Sequence, residues 1–357
     1  MNSFKNQIAA LVGFSLLLGL PAKSLAHERG HGTFTTIDFP GAAGTIVPPS
    51  FAVNMNNQGQ VVGCYFLVPG GMVHGFLLSQ GTFTTIDFPG SVFTELSGIN
   101  SKGDIVGNYV DAVELRVHVL LLRQGNLSTI DFPGAVNTFS ASINPEGDIA
   151  GGYFEDDGSA HGYVLSHGSF TKVEFPGAIG TLAFGINPEE EIVGGYLATD
   201  LNFHGFLLSK SGFSTLDFPG AVSNVSACSA QLGGGTTAGG INPRGDIVGY
   251  YCGDDGNNHG FLLNKGNFSA VDFPGAIFTF TGGITPEGDI VGGYQSADGT
   301  YHGFVLSHSN AGGRSAALVA PSQTNERPKV ALPENVSSLA LRRWYFGRFG
   351  ARLTQPQ

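Results

Sequence analysis

GNFSAVDFPGAIFTFTGGITPEGDIVGGYQSADGTYHGFVLS, residues 266–307, is the clearest statement of a pattern written six times along the chain. Phe-Pro recurs at 39/40, 88/89, 132/133, 175/176, 218/219 and 273/274. A His that opens an apolar run recurs as His74, His118, His161, His204, His259 and His302, with spacings of 44, 43, 43, 55 and 43 residues. A fixed period in that range marks a repeat architecture in which each copy is one supersecondary unit.

Turn chemistry divides each unit into four strands, a to d. In the third unit strand a ends at Ser142-Ile143-Asn144. Pro145-Glu146-Gly147 then places Pro at the second position of a type I turn and Gly where a bulged hairpin needs the left-handed conformation. Strand b is expected over residues 148–153, c over 161–165 and d over 169–175, and Pro176-Gly177 stops d and starts the crossing to the next unit. Four short antiparallel strands per 43 residues describe one blade of a β-propeller. The composition agrees: 55 Gly, 28 Phe and only 13% charged residues suit many short strands joined by tight turns.

The two ends complete each other. Residues 32–41 form a strand d with no a, b or c before it, and residues 302–307 form a strand c with no clear d after it. The expected fold is all-β: a six-bladed β-propeller with four antiparallel strands per blade, closed by the N-terminal strand from Thr33 to Phe39, which completes the last blade. Such closure removes exposed strand edges. The a-to-c portions begin near Phe51, Glu95, Phe139, Leu182, Thr236 and Phe280. The fifth unit carries 12 extra residues between Pro219 and Gly240, which accounts for the 55-residue spacing.

Residues 1–26 read as a signal peptide, with Lys5, an apolar run over residues 8–20 and the small-residue site Ser24-Leu25-Ala26. The propeller is expected over 27–307. Residues 308–357 are expected to be a flexible linker and a basic aromatic tail, whose segment 339–353 holds the single Trp beside four Arg. A secreted or periplasmic location follows, with the tail as a possible peripheral contact to membrane or envelope. Residues 27–307 hold 26 Asp/Glu against 8 Lys/Arg, a balance of −18, which excludes nucleic acid as a partner. A monomer is expected.

In a propeller the b-to-c loops share one face with the d-to-a crossings, and the a-to-b turns lie on the other. The turns are near copies, whereas the b-to-c loops differ, so the loop face is the expected ligand side. Candidate contacts there are Phe154, Asp156, Asp157, Phe203, Asp254, Asp255, Asn257, Asn258 and Tyr301. The acids among them, with Glu155, are the candidates for calcium, although neither loop has the spacing of a known calcium loop and a solvated tip is the plain alternative. The six repeated His, and the acids before Phe-Pro (Asp38, Asp87, Asp131, Glu174, Asp217, Asp272), read as structural, because a residue every blade requires is holding strands together. The acids after the a-to-b turns, such as Asp104 and Asp148, read as turn-stabilising. Glu190 replaces the Gly of one such turn, so that hairpin should be strained. Cys228 and Cys252 fall on one face and are expected to form a disulfide that pins the insertion, with Cys64 a buried thiol outside it.

The unit G-I-N-x-x-G-D-I-V-G-x-Y followed by H-G-F-L-L-S resembles the HAF repeat family of probable extracellular bacterial proteins. The resemblance covers about residues 33–307, with Gly as the middle signature residue in five units and His118-Val119-Leu120 as a departure in the second. It implies a secreted, propeller-like protein and brings no catalytic residues. The sequence carries no G-x-S-x-G elbow, zincin helix, phosphate loop or C-x-x-C pair. The expected function is a binding or scaffolding module for an extracellular glycan, peptide or protein. The alternatives are a polysaccharide hydrolase or lyase working from the variable loops, and an envelope-associated structural protein.

Overall fold

The computed structural model describes residues 32–46, 53–223, 228 and 234–307. The expected signal peptide, Phe51, most of the fifth-unit insertion, and the linker and tail from 308 onward lie outside the described residues. The described chain is all-β and propeller-like, with antiparallel four-stranded sheets and no helix long and apolar enough to cross a membrane. Four sheets have four strands each. A fifth, of nine strands, joins the first and second units through one parallel bridge, Val73 with Phe93.

The third unit shows the plan. Strand a is Asn137–Ile143, b is Ile149–Phe154, c is Ala160–Ser166 and d is Ser169–Val173, paired in that order. Strand d stops two residues short of the expected end because Phe175 already serves the next unit, where its N–H donates to Thr181 Oγ1 at 3.0 Å. Strand Thr33–Ile37 pairs antiparallel with Tyr301–Ser307, Thr33 opposite Ser307 and Ile37 opposite Gly303. The fourth strand of that sheet therefore comes from the other end of the chain.

Two sequence habits shape the inner edge of each unit. Strand b carries Gly where the neighbouring backbone approaches: a Cβ on Gly151 would lie 2.1 Å from Phe139 O, so no larger residue fits. Strand a carries a bulge three residues before its turn, seen as a register shift across Ser97, Ala141, Phe184, Gly239 and Gly282. A bulge re-aims its extra residue. Here it delivers that residue to a shared pocket lined by all six units.

The joints between units repeat one construction. The Phe of each Phe-Pro stacks on the strand-b Tyr of the next unit: Phe88 on Tyr109 at 3.7 Å, Phe132 on Tyr153 at 3.8 Å, Phe273 on Tyr294 at 3.7 Å. Phe39 on Tyr65 at 3.5 Å follows the same rule. Each such stack adds about 0.5–1.5 kcal/mol beyond the area it buries.

A second set of joints lies at the a-to-b turns. There the turn Asn donates Nδ2 to the backbone carbonyl of the next turn: Asn56 to Asn100, Asn100 to Asn144, Asn144 to Asn187, Asn187 to Asn242 and Asn242 to Thr285, at 3.1–3.4 Å. The sixth turn has Thr285 in place of Asn. A threonine hydroxyl is too short to copy the amide donor, and a small pocket of about 20 Å³ beside Asn56, Gly59, Thr285 and Asp289 marks the spot. Glu190 sits at φ 62°, where the equivalent turn residues are Gly, so the sixfold turn is kept there at the cost of backbone strain.

Candidate functional site

The repeated His and acid form the same pair six times, because strands c and d of one unit lie side by side. His Nδ1 meets the carboxylate at 2.8–3.1 Å in His74–Asp87, His118–Asp131, His161–Glu174, His204–Asp217 and His259–Asp272. His302 meets Asp38, from the N-terminal strand, at 2.9 Å. Each imidazole also lies over the strand-b Tyr of its unit, with centroids 4.9–5.3 Å apart. His259 has a second carboxylate, Asp255 Oδ1, 3.2 Å from Nε2, nearer than the second acids of His118 and His161 at 3.5 Å and 3.7 Å. The hydrogen bond to Asp272 and the charge of both acids push the His259 pKa up to about 9, against the opposing effect of burial.

The turn acids are buried and answered by the turn Asn. Asp104, Asp148 and Asp246 each accept Nδ2 of the Asn four residues earlier, at 3.0–3.3 Å. Burial pushes Asp246 up, but hydrogen bonds from Asn242, Arg244 and Asn264 outweigh it and hold the carboxyl below the usual range.

The loop-face candidates separate into two groups. Phe154, Phe203 and Asn258 are buried, so they pack the base of the loops instead of presenting a surface. Asp156, Asp157, Asp254 and Asp255 are exposed, and Asn257 and Tyr301 half-buried. Two of the exposed acids serve their own loops: Asp157 Oδ1 accepts the Ser159 N–H at 2.8 Å, which lowers its pKa, and Asp255 binds Asn257 through both oxygens. Among the described residues no group of three or more His, Cys, Asp or Glu could hold a metal ion. Cys228 and Cys252 are joined in a disulfide, which ties the insertion to the loop face, and Cys64 is buried outside it.

The asymmetric site lies where residues of all six units meet. Five residues before the turn Asn, strand a places Phe139, Leu182 and Phe280 opposite strand-b residues Gly152, Gly195 and Gly293. The aromatic ring needs the glycine: a Cβ on Gly152 would come within 2.4 Å of Phe139. The second unit replaces that apolar pair with Glu95 opposite Asn108, and the fifth replaces it with Thr237 opposite Tyr250. Glu95 and Asn108 are each 2% exposed, yet both line a partly open pocket of about 30 Å³. Its strand-a residues lie three to five positions before the turns, and Asn108 and Tyr250 join them from strand b.

Backbone bonds fix how the polar groups face. Asn108 Oδ1 accepts the Ser140 N–H at 2.7 Å, so Nδ2 is the end that donates to Glu95 Oε1 at 2.7 Å and to Ser140 O at 3.1 Å. Ser140 Oγ lies 3.1 Å from Gly107 O and 3.0 Å from Ser97 Oγ. Across the pocket Thr281 Oγ1 donates to Gly249 O at 2.6 Å. A second pocket, of about 150 Å³, lies among the a-to-b turns, lined by the turn Asn of five units and the turn Pro of four.

Glu95, Asn108, Ser97, Ser140, Thr237 and Tyr250 were not among the candidates that loop variation selects. Their signal was present in the copies: the strand-b pair reads Gly-Gly in three units, Gly-Cys in the first, Gly-Asn in the second and Gly-Tyr in the fifth.

No family model matches this chain, and no curated protein matches it. Solved structures similar to it include TolB from Acinetobacter baumannii, at 13% identity over 73% of this chain with a TM-score of 0.44. The match spans 55% of the TolB chain. The Aleuria aurantia lectin, a fungal lectin described as a six-bladed β-propeller, matches at 15% identity over 73% of this chain and 96% of its own, with a TM-score of 0.44. AofleA from Arthrobotrys oligospora matches at 13% identity over 79% of this chain and 84% of its own, with a TM-score of 0.47.

Proposed function

We propose that this chain is a six-bladed propeller of the HAF repeat type, closed by the strand from Thr33, and that it works outside the cytoplasm as a binding module. Its ligand is an extracellular glycan, peptide or protein, anchored in the shared pocket and flanked by the exposed loop residues. The observation that carries this reading is the Glu95–Asn108 pair, a buried carboxylate and amide where three other units keep an apolar residue and a glycine. Burying a carboxylate is costly unless donors answer it. A fold that builds this site once, and does without it in its other units, is not using it to hold strands together.

The Cys228–Cys252 bridge supports an oxidising compartment. Binding is favoured over hydrolysis because Glu95 is the one carboxylate lining the pocket, whereas glycoside hydrolysis uses a pair flanking the scissile bond. The test is a glycan and peptide array probed with residues 27–357, run beside a turnover assay on every hit. Saturable binding without product, weakened in Glu95→Gln, is expected. Product formation, or binding indifferent to that substitution, would contradict the reading.

A further inference from the structure

We infer that the shared pocket receives a primary ammonium group on a slender alkyl stem, the side chain of a lysine in a basic extracellular polypeptide. The inference rests on the binding-module reading and narrows its ligand class.

Hydrogen-bond accounting comes first. The hydroxyls on the pocket wall have backbone carbonyls within reach of their protons: Thr281 donates to Gly249 O at 2.6 Å, and Ser140 and Ser97 lie 3.1 Å and 3.4 Å from Gly107 O and Val106 O. Ser97 and Ser140 also meet each other at 3.0 Å, and because each hydroxyl oxygen has two lone pairs, acceptor capacity remains whichever of them donates. Glu95 adds carboxylate oxygens, and the side-chain amide on the wall, Asn108 Nδ2, is committed to Glu95 and Ser140. A lining rich in acceptors calls for a ligand rich in donors, and an ammonium has three N–H groups and no acceptor.

Shape and charge narrow the choice. Phe139, Phe184 and Tyr250 also line the pocket, and a cation beside aromatic faces gains further attraction. A volume of about 30 Å³ has room for one or two water-sized groups, which suits a compact ammonium head and not a sugar ring. A single carboxylate among neutral oxygens matches one positive charge, whereas calcium sites gather more oxygens and commonly several carboxylates. The balance of −18 over residues 27–307 draws basic polypeptides toward the ring.

Isothermal titration of residues 27–357 with n-butylammonium chloride tests this, with n-butanol, guanidinium chloride and calcium chloride as comparison probes at constant ionic strength. Butylammonium is expected to bind in the millimolar range, n-butanol not measurably, and Glu95→Gln to weaken butylammonium about tenfold or more. Phe184→Leu, which keeps an apolar wall, should weaken it less while leaving the melting temperature near wild type. Equal binding of butanol, calcium binding in place of the amine, or an unchanged affinity in Glu95→Gln would overturn the inference. Silent arrays beside an intact butylammonium site would refute the binding-module reading and uphold the pocket. Array hits beside a butylammonium response indifferent to Glu95→Gln would do the reverse.

Discussion

Thr285→Asn should stabilise the protein, because it supplies the one turn amide that the sixth unit lacks. The five turn Asn residues each donate Nδ2 to the next turn carbonyl. Asn56 O already accepts Gly59 N at 3.0 Å, as Asn100 O accepts Gly103 N at 3.1 Å while also taking the Asn56 amide. The acceptor at the seam is thus prepared in the same way as the others. Thr285 Oγ1 already accepts the Asp289 N–H at 3.1 Å, a bond that Asn Oδ1 makes in the other turns, and the neighbouring void of about 20 Å³ leaves room for the amide. One net hydrogen bond is worth about 1 kcal/mol. For a chain of this size that raises Tm by roughly 1–2 °C, to be read by differential scanning calorimetry. The reciprocal change, Asn187→Thr, opens a second gap and should lower Tm by at least as much. If Thr285→Asn leaves Tm unchanged or lowers it while Asn187→Thr is destabilising, the first and last units do not meet as the other units do.

Three further outcomes follow from the same geometry. Glu190→Gly relieves the residue held at φ 62° and should gain about 0.5–1 kcal/mol in guanidinium unfolding, with a loss contradicting the strain. Replacing both Cys228 and Cys252 by Ser removes a link between residues 24 apart and should cost about 3 kcal/mol, measured by the same unfolding without reductant. His259 is held near pKa 9 from an ordinary 6.5, so its contribution is complete below about pH 6.5 and is lost as pH rises through about 9. The Tm difference between wild type and His259→Gln should therefore shrink across that window; a constant difference would contradict the pairing.

Much of the scaffold was legible because it is written six times. The Pro-x-Gly turns, the position of strand d before each Phe-Pro and the pairing of Thr33–Ile37 with the last strand c all follow from local chemistry plus the count of copies. What the sequence could not give was depth. Phe154, Phe203 and Asn258 prove to be buried end residues of strands b and c at the base of the variable loops, so variation there reflects packing as much as recognition. The bulge in strand a was equally hidden: it depends on how the backbone of one unit meets the next, and it is what brings Ser97 and Phe184 to the shared pocket. Glu95 was visible as a charged residue at a Phe position, but only pairing it with Asn108 across the strands shows that two departures make one site.

The most direct measurement restores the repeat to the second unit. Glu95→Phe with Asn108→Gly rebuilds the pair that Phe139–Gly152 and Phe280–Gly293 already form elsewhere in the chain. Ligand affinity and Tm of this double variant are then compared with wild type, using the best array hit. If function resides where the copies disagree, Tm is maintained or raised and binding is lost. Retained binding, or a collapse in Tm with no ligand effect beyond unfolding, would contradict it.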